Sequence, residues 1–316
     1  MKRQYWGVSL FLLLLLLGSC TSVSNNEAAQ AYYNLGNAYF DLGQLNESKR
    51  AYQRALELDP SLAAATYNLA RIYIEDRRFD DAEGILLSLL ETDPGNTLLH
   101  ETLGWLEFRR GRYQEAADRY RGALELAEGN AAAWYNLGRI LETTGETGKA
   151  VDAYREAVYY EPDVLLYRIS LGKAHYLLED YLKTVDLLYP VYSSGNRDLR
   201  LMVLLLKNLV AAEEYPAALE VANAGIDSWE AEAPEERQDA TKAEILFYKA
   251  FTLLLGFENT AEGLSMLQDS LDSGYSDTDN LLLFYEYPDI PGFEEIQEML
   301  EDKKVAPKEA SAPQGE

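Results

Sequence analysis

Residues 32–36 read Tyr-Tyr-Asn-Leu-Gly, and residues 134–138 read Trp-Tyr-Asn-Leu-Gly. Between them the same place is held by Asn68-Leu69-Ala70 and Thr102-Leu103-Gly104, and beyond them by Ser170-Leu171-Gly172. Every step is 34 residues. A fixed period of this size marks a chain built from one repeated supersecondary unit. Counting from Ala29 gives six units without a gap: 29–62, 63–96, 97–130, 131–164, 165–198 and 199–230.

The content of the period is helical. Leu42-Gly43 and Arg110-Gly111 break a unit into two amphipathic halves, and Pro60, Pro94 and Pro162 close the second half. Small residues recur where two helices must approach closely. Gly36, Gly104, Gly138 and Gly172 supply them on the first helix, and Ala82, Ala116, Ala150 and Ala218 on the second. Leu45, Phe79, Tyr113, Tyr181 and Tyr215 share one position and are expected to fill the space between units. A single pair cannot bury its apolar face alone, so the pairs must stack. The expected class is all-α.

Across 29–230 these residues resemble the tetratricopeptide repeat (TPR) family. The resemblance implies a helix-turn-helix solenoid, a right-handed superhelix whose first helices line a concave groove that binds proteins or peptides. At the two groove positions traced, it points to Tyr33, Tyr67 and Tyr135, and to Arg71, Trp105, Arg139, Lys173 and Lys207, with Arg200 as a further cation. Arg71 lies four residues before Glu75 and Arg139 three before Glu142, whereas Lys173 and Lys207 have no such neighbour. That row predicts acidic-aliphatic partner segments over units five and six, beside Leu166, Ile169, Tyr176 and Val203. Aromatic or proline-bearing segments are expected over the earlier units. The family's clamp for C-terminal carboxylates is not reproduced. Asn37 and Asn68 match its asparagines, but Tyr33, Leu98 and Thr102 stand where cations are needed.

The pattern weakens after unit four. Arg168 and His175 replace large apolar residues, and Pro190 falls late in a second helix. A polar break, Ala231 to Gln238, interrupts the array. Residues 239–275 read as a degenerate seventh helical pair, 276–302 as a C-terminal cap and 303–316 as a disordered tail.

Lys2 and Arg3 precede an apolar run from Val8 to Leu17 and then Gly18-Ser19, so residues 1–19 read as a signal peptide. The run is too short to span a bilayer. Leu17-Gly18-Ser19-Cys20 resembles the lipobox of bacterial lipoproteins. This implies diacylglyceryl attachment to Cys20, cleavage after Ser19, a fatty acyl group such as palmitate, and a lipid-anchored linker over 20–28. The implied location is the bacterial cell envelope. The periplasmic side of the outer membrane is favoured, because Thr21 is not the aspartate that signals inner-membrane retention.

The chain carries 53 acidic and 28 basic residues, a net charge of −25, with 47% hydrophobic residues. Hydrophobicity at this level excludes global disorder, and the charge argues against nucleic acid as a partner. The acids concentrate in 213–316, where 25 face only 6 bases. A single cysteine forms no internal disulfide and no cysteine-based zinc cage. His100 and His175, the only histidines, sit at packing positions of the repeat. His100-Glu101 opens like a zinc-protease motif, but Gly104 stands where the second histidine belongs. No phosphate loop, dinucleotide fingerprint or nucleophile elbow occurs in the sequence. No metal and no cofactor is therefore implied, and the chain is not expected to be an enzyme. The reading is a protein–protein interaction scaffold or assembly factor of the envelope. The alternative is an accessory ligand-binding component of an envelope transport system.

Overall fold

Helices alternate with short turns throughout residues 24–306, the part of the chain that the computed structural model describes. The signal segment 1–19, Cys20 and residues 307–316 of the expected tail lie outside the described residues. The chain separates after Glu128 into two compact units. The first holds three pairs: α1 (Asn25–Asp41) with α2 (Leu45–Leu58), α3 (Ala63–Glu75) with α4 (Phe79–Thr92), and α5 (Thr97–Arg110) with α6 (Tyr113–Leu126). The second starts with α7 (Ala131–Thr143) and α8 (Thr147–Tyr160), then α9 (Leu165–Leu177) and α10 (Tyr181–Ser193). It continues with α11 (Leu199–Ala211), α12 (Tyr215–Ala231), α13 (Asp239–Gly256) and α14 (Thr260–Asp272). A short α15 (Thr278–Leu282), a 3₁₀ turn (Leu283–Glu286) and α16 (Phe293–Asp302) complete it. No strand occurs among the described residues, and the all-α expectation holds.

In the first, third and fourth pairs a residue without a side chain meets an aromatic ring. A Cβ at Gly36 would stand 2.4 Å from the Tyr52 ring, and one at Gly138 would stand 2.6 Å from Tyr154. Both tyrosines are 1% exposed. In two pairs a hydroxyl takes the small position of the second helix and also supplies a hydrogen bond. Ser48 Oγ donates to the Gly36 carbonyl at 2.8 Å, and Thr184 Oγ1 to the Gly172 carbonyl at 3.0 Å.

The turn inside each pair has one left-handed residue. Gly43, Arg77, Gly111, Gly145, Glu179 and Glu213 all have φ between 60° and 82°, one in every period. Glycine marks only three of the six. Side chains with a Cβ cost about 1–2 kcal/mol in this conformation.

Two segments are more ordered than their composition suggested. The polar break between α12 and α13 folds around Trp229, which is 8% exposed. Its indole N–H donates to the Gln238 carbonyl at 3.1 Å, while the Arg237 guanidinium lies 5.0 Å and Lys242 Nζ 4.6 Å from its ring. At the far end, Phe284, Ile296 and Leu300 are fully buried with Leu267 and Leu271. Val305, assigned to the tail from sequence, is 6% exposed, and its carbonyl accepts from the Tyr285 hydroxyl at 3.4 Å. An apolar residue after a helix end returned to the core, so residues 303–306 belong to the folded body.

Gly138→Leu should lower stability by about 1–3 kcal/mol or more, because Tyr154 is enclosed and cannot yield. Gly148→Ala, where a Cβ meets nothing within 4 Å, should raise it by about 0.5–1 kcal/mol. Glu179→Gly should also raise it, by about 0.5–1 kcal/mol, the strain released less the added chain entropy. Chemical denaturation read by circular dichroism checks all three.

Candidate docking surfaces

In the first compact unit, three of the four residues named from sequence build a half-buried aromatic–cationic row. The Tyr33 ring lies 6.0 Å from that of Tyr52. The Tyr67 hydroxyl is 3.0 Å from Thr102 Oγ1, which ties α3 to α5. Arg71 does not rest on Glu75 as its spacing suggested. Its guanidinium lies 4.5 Å from the Phe40 ring, and Nη1 donates to Asn68 at 3.4 Å. Glu75 instead binds Arg109, one full period on, at 3.0 Å. Trp105, the fourth, stacks on Phe108 at 5.7 Å with Arg109 5.3 Å from its ring.

The two asparagines that matched the carboxylate clamp are committed to internal bonds. Asn37 Oδ1 accepts from the Tyr52 hydroxyl at 2.7 Å and from Asn68 Nδ2 at 2.9 Å. Sequence reading missed an ionic cluster in this unit. Arg110, with 11% of its side chain exposed, joins Asp80 at 2.8 Å, Glu83 at 2.9 Å and the buried Glu107 at 3.5 Å. Such a group, taken from water and paired on several sides, fixes α5 against α4.

In the second compact unit, the Tyr135 ring packs 5.0 Å from Tyr167 and 5.8 Å from Tyr154, with Arg139 5.8 Å from it. Glu142 accepts a hydrogen bond from Tyr154 at 2.7 Å. Burial, followed by this carboxylate, drives the Tyr154 phenol far above its ordinary range. Further along, the structure opens a cavity of about 740 Å³, and Lys173, Arg200 and Lys207 all line it. Tyr176, Leu177, Val203 and Leu204 form its apolar part.

The cations of this cavity are not equivalent. Arg200 forms two bonds to Asp198, Nε–Oδ1 at 3.1 Å and Nη2–Oδ2 at 2.5 Å. Asp198 also caps α11, accepting from the backbone N–H of Arg200 and Leu201. Lys207, read from sequence as unpartnered, lies 3.6 Å from Glu244 and 5.1 Å from the Tyr176 ring. Its partner comes from α13, far outside the range of helical neighbours. Lys173 is exposed and has no ion-pair partner among the described residues. Glu232 and Glu236, from the connector that Trp229 anchors, form an acidic wall. Ile169, expected on this surface, is 4% exposed and belongs to the core. The lining as a whole carries four cations and five carboxylates, so an acidic-aliphatic segment of the kind expected from the cationic row would meet carboxylates as well as cations.

His100 Nε2 lies 3.1 Å from the Pro94 carbonyl. His175 is 7% exposed, and its buried Nδ1 makes no hydrogen bond, 3.5 Å from Asp180 Oδ2. Burial, reinforced by Lys183, lowers its pKa below the usual imidazole value and keeps it neutral. Among the described residues no three His, Cys, Asp or Glu side chains are grouped to hold a metal. No helix among them is long and apolar enough to cross a membrane.

Residues 29–62, 51–84 and 101–163 match models described as tetratricopeptide repeat. No curated protein matches the sequence. A solved structure from the functional characterization of Pseudomonas aeruginosa pilF is similar, with a TM-score of 0.53 and 21% identity, covering 63% of this chain and 90% of that one. A tetratricopeptide repeat protein from Parabacteroides merdae aligns with a TM-score of 0.51 and 14% identity, covering 87% and 98%. At these identities the likeness is one of fold.

Lys207→Glu should lower stability by about 1–2 kcal/mol, since it sets a second carboxylate beside Glu244 and removes the cation over Tyr176. Lys173→Glu should leave the melting temperature unchanged. Asp198 has its pKa lowered, chiefly by the Arg200 hydrogen bonds. Its stabilisation is present above the unfolded value of about 3.9 and lost as pH falls through the folded one. Asp198→Asn should therefore cost stability at neutral pH and flatten the acid limb of the unfolding curve.

Proposed function

We propose that this chain, a member of the tetratricopeptide repeat family, is a non-catalytic scaffold or assembly factor of a bacterial cell envelope, tethered through a lipid on Cys20. Tetratricopeptide repeat proteins generally act as protein-interaction scaffolds, and the aromatic–cationic rows on the first helices suit that role. The observation that carries the reading is the cavity of the second unit. Its lining combines Lys173, which has no ion-pair partner among the described residues, with the carboxylates of Glu232 and Glu236 and the apolar side chains of Val203 and Leu204. A partner segment that carries a carboxylate, an aliphatic residue and a basic residue would suit all three kinds of lining. The lipobox residues Leu17-Gly18-Ser19-Cys20 support the tether, and Thr21 in place of an aspartate favours the outer membrane.

The cavity also supports the alternative of an accessory ligand-binding component, because pockets of about 300–1,000 Å³ hold small ligands. Crosslinking in intact cells separates the two. Lys173→Glu should weaken capture of the crosslinked protein about two- to five-fold, while Lys149→Glu, on the second helix α8, leaves it unchanged. A small molecule carried through purification, with no captured protein, would establish the alternative instead. For the tether, Cys20→Ala should abolish labelling by a radioactive fatty acid and release the protein from membranes. Membrane attachment that persists without lipid would remove the claim.

A further inference from the structure

Position seven of the period is leucine in all six units, at residues 35, 69, 103, 137, 171 and 205. Leu69, Leu103 and Leu171 are 8%, 1% and 5% exposed, whereas Leu35 is 42% exposed. Leu103 packs with Ala82 and Leu86, on the second helix of the preceding pair. Among the described residues no helix precedes α1, and the equivalent surface lies open. Tyr32 is 37% and Leu42 70% exposed beside it. Ala31 and Ala38 are exposed too, and Ala28 and Tyr39 are half-buried.

These residues form one stripe: Ala28, Ala31 with Tyr32, Leu35, Ala38 with Tyr39, and Leu42. The spacing alternates three and four, as in the seam of a two-helix coil. The other face of α1, with Ala29 and Gly36, is already buried. Glu27 and Asp41 are the only charged residues of the helix, one near each end. An outer face of a stacked array must be polar to remain alone in water. On the first described unit this stripe is apolar, with the Arg54 guanidinium of α2 6.0 Å from the Tyr32 ring.

We infer that this face pairs with the same face of a second copy, the two α1 helices running antiparallel about a two-fold axis at Leu35. In that register Leu42 of one copy lies opposite Ala28 of the other, Tyr39 opposite Ala31 and Tyr32 opposite Ala38. Leu35 meets its own copy at the centre. Each large side chain away from the axis thus faces a small one, which lets the helices approach closely. Head-to-tail stacking has no equivalent face to meet, because the last helical pair of the second unit is covered by Phe284, Ile296 and Leu300. A contact of one face with itself closes at two copies. Glu27 of one copy approaches Asp41 of the other at each end, and each chain carries −25. Screening by salt therefore tightens this contact, whereas it loosens one driven by opposite charges.

The test uses the chain from residue 21 onward, which keeps every described residue and lacks the single cysteine. Sedimentation velocity should show a monomer–dimer equilibrium that tightens with salt. Leu35→Glu should weaken it at least ~10-fold without changing the melting temperature, the site being open to solvent in the monomer. Leu35→Cys should form a disulfide-linked dimer under mild oxidation. Ala28→Cys and Leu42→Cys should each fail alone, because the two copies of either lie about 21 Å apart along the helix axis. Mixed together, they should cross-link. A parent that stays monomeric at every concentration overturns the proposal, as does Leu42→Cys cross-linking to itself as fast as Leu35→Cys. A monomeric parent that binds phospholipid vesicles, with binding lost in Leu35→Glu, would overturn it in favour of a lipid surface.

Discussion

In the first, third and fourth pairs the two helices close where the first gives up its side chain and the second places a tyrosine ring. Gly36 against Tyr52, Gly104 against Tyr120 and Gly138 against Tyr154 are the same contact, met at one place in the period. With the axes that near, the ring is enclosed. The partner position on the second helix is then also small, as Ala116 and Ala150 are, or carries a hydroxyl that bonds the glycine carbonyl, as Ser48 does. Tyr33 and Tyr135, half-buried on the first helices, lean on two of these tyrosines. At these two places the candidate docking surface is the outer edge of the glycine contact.

The period, the helix pairs and the tokens at positions seven and eight were legible because each follows from short-range sterics. A glycine, a leucine and a proline carry their meaning on their own. What stayed hidden was relational. Arg77, Glu179 and Glu213 adopt the left-handed conformation that Gly43, Gly111 and Gly145 advertise, yet nothing in an arginine or a glutamate marks it. Repeat alignment could have shown it, since all six stand at the same place in the period.

Charges were the least legible feature. Counting neighbours three and four residues apart paired Arg71 with Glu75 and left Lys207 alone. In the fold, Glu75 reaches Arg109, and Glu244 reaches Lys207 from the next first helix. For Glu75 and Lys207, on first helices, the neighbour lies about one period away and helical spacing misassigns it. Second-helix pairs such as Glu47–Arg50 and Asp118–Arg121 keep that spacing. The connector between α12 and α13 escaped for a related reason. Its composition is that of a linker, while the residue that orders it, Trp229, belongs to the helix before it.

The regularity of the turns bears on how a chain of this kind changes length. Within the first compact unit, turn residues at 43, 77 and 111 repeat one backbone geometry at a constant interval. Equivalent edges are therefore presented at every such interval. A duplication or loss of one whole period joins surfaces already shaped for each other, while an insertion of any other length misaligns glycine and tyrosine. Genetic change in such an array is quantised: the number of units is free to drift, and the unit itself is not.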